Sequence, residues 1–191
     1  AYARTPFGRF RGALANYTAL ELGTMAVEGV LERAGIDPHS GIIDQVYMGQ
    51  VLQAGAGQAP ARQVAIAAGL PYSTPCTTIN KVCGSSLKAA MVAATEIMAG
   101  KSNVVIAGGM ESMSQAPHFI RGAKRGDEIS FAELTGILSH DGLKDAYDGS
   151  MMGITGETIA KEANISRSES DRYALRSHTL SVSAWENGWL A

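Results

Sequence analysis

The chain has 191 residues, is 46% hydrophobic and 18% charged, contains 22 glycines and carries a formal net charge of −2. That length buries one good core with room for a subsidiary lobe, and the composition excludes a disordered chain. The small negative charge argues against nucleic acid or an anionic membrane as the main partner, and no apolar run reaches the length of a bilayer span.

In chain order, Thr18 and Glu21 form a capping-box pair that predicts a helix running to Ala34, with Gly35 and Pro38 as stop signals. Its expected apolar stripe is Leu22, Met25, Ala26, Val30 and Leu31. Val46, Met48 and Val51 suggest a strand. Gly55-Ala56-Gly57-Gln58 reads as a flexible loop, and Pro60 is placed to open a helix ending at Gly69. The β-branched run Cys76-Thr77-Thr78-Ile79 reads as a second strand. After it, Leu87, Met91, Ala94 and Met98 recur at helical spacing, and Gly100 closes that helix. A short strand is expected over Asn103 to Ala107. Strand, helix, strand in this order is a βαβ unit, so the expected class is α/β, with a largely parallel sheet and helices on its faces.

From about residue 112 the texture changes. Gln115 to Tyr147 is polar and loop-like, with a short helical stretch expected around Phe131 to Leu138. Thr155 to Ala163 and Ser168 to Glu186 read as helices, the second opened by the capping box of Ser166 and Glu169. The chain therefore divides into an α/β core domain over 1–112 and a lobe over 113–191 inserted on or after the sheet.

Cys83 is the candidate nucleophile. It stands where the strand ending at Ile79 turns into the next helix, so unpaired N–H groups and the positive end of the macrodipole face it. Such an environment favours the anionic sulfur that attacks carbonyls, and Gly84, Ser85 and Ser86 leave space for an acyl group. The competing reading is a small buried hydrophobe. Cys76 and Cys83 form no CxxC or histidine pattern, so neither a metal site nor a structural disulfide is implied. Gly55-Ala56-Gly57 lacks the Lys-Ser/Thr of a P-loop and the third glycine of a dinucleotide fingerprint. Arg121, Lys124 and Arg125 read as a solvated basic loop in preference to a site for anionic cofactor phosphates, and no spacing singles out a base among His39, His118, His140 and His178.

Five stretches together resemble the thiolase family, most closely the N-terminal half of its acetyl-CoA acetyltransferases. They are Ala3 to Gly8, Gly55 to Gln63, Asn80 to Ala89, Gly108 to Ser114, and Met152-Gly153 followed by Thr155 and Glu157. The resemblance implies two similar α/β halves stacked into a layered core, with a loop domain inserted after the first sheet, and it makes residues 113–191 a partial loop domain. It places Cys83 on the acyl-accepting nucleophile and Met152, within the segment Gly149 to Gly153, in the pantetheine and acyl pocket. It implies coenzyme A thioesters, acetyl-CoA or acyl-CoA, as substrates, with no covalently bound cofactor. The implied reaction condenses two acetyl-CoA to acetoacetyl-CoA, or runs as the reverse thiolysis. Many acetoacetyl-CoA members have a histidine directly before the methionine, where this chain has Met151, so a broader 3-ketoacyl-CoA preference stays open. A non-catalytic module for dimerisation or acyl-CoA binding is the other reading. Pro117 to Gly126 resembles the loop through which tetrameric members associate, which implies a homodimer or homotetramer. The family's Gly-His-Pro and Cys-x-Gly-Gly settings do not occur in this sequence, so the chain is expected to be a piece of a longer protein that holds only the nucleophile half. A cytoplasmic location is expected.

Overall fold

A computed structural model of the chain describes residues 1–189. It divides into two compact units, Ala1–Gly142 and Leu143–Ala191.

The first unit is organised by β1 (Gln45–Gly49), the middle strand of a three-stranded parallel sheet of order β2-β1-β3, with β2 over Cys76–Ile79 and β3 over Val105–Gly109. Met48 is paired with Thr78 on one side and with Gly108 on the other. The side chains of β1 alternate with the period of two that a pleat imposes. Val46 and Met48 enter a cluster with Val27, Leu31, Val64 and Ala65, whereas Tyr47 joins Ala89 and Ala93. Helices therefore cover both faces, α1 (Ala19–Ala34) and α2 (Pro60–Ala67) on one and α3 (Ser85–Met98) on the other. The connection β1-α2-β2 steps one way across the sheet and β2-α3-β3 steps back past β1. Two right-handed crossovers running in opposite directions put their helices on opposite faces, and such a reversal leaves a crevice beyond the carboxyl ends of the strands.

α1 opens on the expected capping box and closes at Gly35, whose φ is 64°. Its buried face differs from the expected stripe. Ala19, Gly23, Val27 and Leu31 are buried, and Met25 is exposed. The reason is close approach, since a Cβ on Gly23 would lie 2.5 Å from Met110 Sδ and 3.1 Å from Val64 Cγ2. The helix packs through its smallest residues, so the larger ones flank the seam or turn outward. α3 shows the same inversion. Its sheet face is Ser85, Ala89 and Ala93, while Leu87, Met91 and Met98 are 69%, 53% and 87% exposed.

The helical stretch expected at Phe131 to Leu138 is corrected. Only Phe131–Glu133 forms a turn of 3-10 helix, with the N–H of Ser130 donating to Glu133. The chain then extends as β5 (Thr135–Gly136), antiparallel to β4 (His118–Phe119), before a π-helical turn over Leu138–Leu143. Gly136 lies against the His118 ring, with a built Cβ at 3.2 Å from Nε2, so a side chain there would crowd the pair.

In the second unit, Asp145 Oδ1 accepts from the N–H groups of Tyr147 and Asp148, and Asp148 Oδ1 accepts from that of Ser150. These bonds fold the turn that precedes α4 (Met152–Glu162). α5 (Arg167–Glu186) starts at the expected Ser166–Glu169 capping box, and Arg167 pairs with Asp171 one turn on. Among the described residues, no helix is long and apolar enough to cross a membrane.

Candidate active site at the carboxyl ends of the strands

β2 ends at Ile79 and α3 begins at Ser85, so Asn80 to Gly84 must reverse the chain within a few residues. Local hydrogen bonds do this. The Gly84 N–H donates to the Lys81 carbonyl and the Ser85 N–H to that of Val82. Ser85 is buried, and its hydroxyl works twice: Oγ donates to the Val82 carbonyl at 2.6 Å and accepts from the Lys81 N–H at 2.8 Å. Asn80 Oδ1 accepts from the Val82 N–H at 3.0 Å. Held from both sides, Val82 adopts φ 48°, a left-handed conformation unusual for a β-branched residue.

Cys83 follows directly and is exposed. It lies just ahead of Gly84, the N-cap residue of α3, and no side chain caps that helix. The Gly84 and Ser85 amides at this helix start are already taken by the Lys81 and Val82 carbonyls.

The floor beneath the turn is made of glycine. A Cβ on Gly49, the last residue of β1, would lie 2.6 Å from the Ser86 backbone nitrogen and 2.7 Å from the Ser85 carbonyl carbon. A Cβ on Gly109, the last residue of β3, would run into Ser86 Oγ. The start of α3 therefore presses onto the ends of two strands because neither has a side chain.

The run after β3 turns out to be stitching. Glu111 Oε2 accepts from the N–H groups of Val51 and Leu52 at 2.9 and 3.3 Å. Ser112 Oγ donates to the Tyr17 carbonyl, Ser114 Oγ accepts from the Arg11 N–H, and Gln115 donates to the Ala15 carbonyl. Asn80, Ser85 and Glu111 were not singled out as site residues from sequence. Glu111 and Asn80 reach partners 60 and 29 residues away, which no local pattern encodes, whereas the Ser85 bonds are local.

Cys76 lies at the start of β2, half-buried, with its thiol donating to the Thr74 carbonyl. Burial pushes its thiol up, against the nearby Arg62, which lowers it. Met152 is the first residue of α4 in the second unit and is exposed. His140 Nδ1 and Asp141 Oδ1 pair at 2.6 Å, and the His140 ring meets Phe119 edge-on. Among the described residues, no group of histidines, cysteines and carboxylates is arranged to hold a metal.

A doubly covered parallel sheet with a cysteine at a strand-to-helix turn over its carboxyl ends defines an α/β half with a candidate nucleophile. Residues 1–191 match the family described as thiolase, N-terminal domain. The chain is 47% identical over 188 residues to the mitochondrial acetyl-CoA acetyltransferase of Danio rerio, covering 98% of this chain and 44% of that protein. It is 49% identical over 189 residues to the mitochondrial acetyl-CoA acetyltransferase of Mus musculus, covering 98% and 43%. It is also 49% identical over 186 residues to the acetyl-CoA acetyltransferase of Cupriavidus necator, covering 97% and 47%. The chain belongs to the thiolase family, as an N-terminal domain. It spans less than half the length of these relatives.

The cytoplasmic expectation is corrected by the same relatives. Proteins named mitochondrial in animals and a bacterial protein are equally similar to this chain, so the similarity does not determine a compartment.

Proposed function

We propose that this chain is the nucleophile-bearing half of an acetyl-CoA C-acetyltransferase and that Cys83 is its acyl acceptor. The observation that carries this is the placement of an exposed cysteine immediately ahead of a helix without a side-chain cap, over the carboxyl ends of a parallel sheet. The names of relatives up to 49% identical support it.

The sulfur of Cys83, as thiolate, attacks the thioester carbonyl of acetyl-CoA. A new carbon–sulfur bond forms, the bond to the coenzyme A sulfur breaks, and coenzyme A leaves as a thiolate that takes up a proton. The N–H of Cys83 at the helix start stabilises the oxyanion of the tetrahedral intermediate. A second acetyl-CoA, deprotonated at its α-carbon, then attacks the acyl-cysteine to give acetoacetyl-CoA, and thiolysis is the same path reversed. The family resemblance assigns those proton transfers to Gly-His-Pro and Cys-x-Gly-Gly settings, which this sequence does not contain.

Residues 113–191 act as the loop domain, with Met152 against the pantetheine and acyl group. The segment Pro117 to Gly126 joins subunits of a homodimer or homotetramer. The outward apolar face of α3, Leu87, Met91 and Met98, seats the second α/β half, since a helix apolar on both sides belongs in an interior.

Incubating the purified chain with acetyl-CoA and mapping peptides by mass spectrometry tests the proposal. One acetyl group is expected on the peptide containing Cys83 and none after Cys83→Ser, and the 191 residues alone should not release acetoacetyl-CoA. An unacetylated Cys83, or robust condensation by the chain alone, would refute this reading.

A further inference from the structure

We infer that Asn80 and Glu111 are positioning residues that set the conformation of the Cys83 turn from the ends of the neighbouring strands. This rests on the reading of Cys83 as the nucleophile.

Both ends of the Asn80 amide are engaged. Oδ1 takes the Val82 N–H at 3.0 Å, and Nδ2 donates to the Val51 carbonyl at 3.2 Å. Val51 is also held from its other side, because its N–H and that of Leu52 both donate to Glu111 Oε2. A continuous path therefore runs from Glu111 through the Val51 peptide and the Asn80 side chain to Val82, the residue bonded to Cys83. The three anchors stand just beyond the carboxyl ends of β3, β1 and β2 respectively. The sheet ladder ends just before them, with the Gln50 N–H on the Ile79 carbonyl and the Met110 N–H on the Gly49 carbonyl, and these side-chain bonds carry the tie past its end.

Two features indicate that the arrangement does more than close a loop. Val82 occupies a left-handed conformation that persists only where the surroundings over-determine it, and Asn80 and Ser85 supply that constraint. Glu111 Oε1 is buried with no hydrogen-bond partner among the described residues, an unfavourable state for a carboxylate oxygen. Its other oxygen takes two amides at once and so fixes the Val51–Leu52 peptides. Because both groups are occupied by backbone, they act on Cys83 through the chain rather than by touching an acyl group.

Iodoacetamide alkylation of the full chain, with Cys83 and Cys76 quantified as separate peptides, tests this. Cys76 serves as the internal reference and the thermal midpoint as the control for folding. In the unsubstituted chain Cys83 is expected to react faster than Cys76. Asn80→Asp keeps the acceptor for Val82 and loses the donor to Val51, and should slow Cys83 by about fivefold, the equivalent of one hydrogen bond, at an unchanged Cys76 rate. Glu111→Ala should do the same. Glu111→Gln, which retains an acceptor oxygen, should stay within about twofold of the unsubstituted chain. Cys83 rates unaltered in Asn80→Asp and Glu111→Ala overturn the inference, as do Cys83 and Cys76 rates that change together, which is general loosening. Should Asn80→Asp or Glu111→Ala not fold, failure of Glu111→Gln to preserve the Cys83 rate overturns it alone. If Cys83 is no faster than Cys76 in the unsubstituted chain, the nucleophile reading itself fails, an outcome separate from all of these.

Discussion

Gly49 and Ser86 touch backbone to backbone, with room for no atom between them: a methyl group on the glycine would lie 2.6 Å from the Ser86 nitrogen. No rotamer change relieves that contact. Gly49→Ala is therefore expected to destabilise the chain by about 1–3 kcal/mol, the usual cost of overpacking. Gly109→Ala differs, because its nearest obstacle is the Ser86 hydroxyl. Adding Ser86→Ala should recover part of the loss at Gly109 and none of the loss at Gly49. Urea midpoints of the two single and two double variants decide it, and equal recovery at both positions would contradict the geometry.

The two cysteines should separate by pH as well as by rate. Burial raises the thiol of Cys76 above its ordinary range, so its reactive thiolate appears only as the solution becomes more alkaline than an ordinary thiol requires. Cys83 is exposed. Labelling with iodoacetamide near neutral pH should modify Cys83 roughly tenfold faster or more. Denaturant should bring Cys76 to the rate of an ordinary thiol. A Cys76 that labels as fast in the folded chain as it does in denaturant would mean that β2 opens readily at its first residue.

How far the sequence could be read depended on the range of the interactions. β2 over Cys76–Ile79, the capping boxes at Thr18 and Ser166, and the helix after Cys83 were all legible, because each rests on neighbours a few residues apart. The position of Cys83 at the strand-to-helix turn was legible for the same reason. The Asn80–Val51 and Glu111–Val51 bonds and the glycine floor were not, since they join strand ends that only the folded sheet brings together. The pairing of His118–Phe119 with Thr135–Gly136 was missed because two-residue strands have no periodicity to detect. The apolar recurrence of α3 was seen correctly as helical, yet its sheet contact runs through Ser85, Ala89 and Ala93. Hydrophobic spacing finds a helix without saying which of two apolar faces meets the sheet.

That last point is measurable. Met91→Ala should change the stability of this chain by no more than about 0.5 kcal/mol, since Met91 faces outward. Ala89→Leu, at a position with no exposed surface, should cost about 1–3 kcal/mol. The ordering is the reverse of what residue hydrophobicity alone suggests. Chemical denaturation of both variants checks it, and a larger loss for Met91→Ala would place the sheet contact on the wrong face.

Asp44 gives the chain an acid-sensitive link between two strands. Its carboxylate accepts from the N–H groups of Asn103 and Val104 at 2.6 and 3.0 Å, tying the residue before β1 to the approach to β3. The Val104 and Asn103 amides hold its carboxyl below the ordinary carboxylate range. A group depressed in the folded state contributes stability that is present above its unfolded value and lost as pH falls through the folded one. The unsubstituted chain should thus lose stability on the acid side of the ordinary carboxylate range. Asp44→Asn, which keeps one acceptor oxygen but cannot titrate, should be somewhat less stable at neutral pH and should lose less on acidification. The comparison is the drop in urea midpoint between neutral pH and ~pH 3 in the two proteins. Equal drops would mean that this carboxylate is no more favoured by folding than one in the unfolded chain.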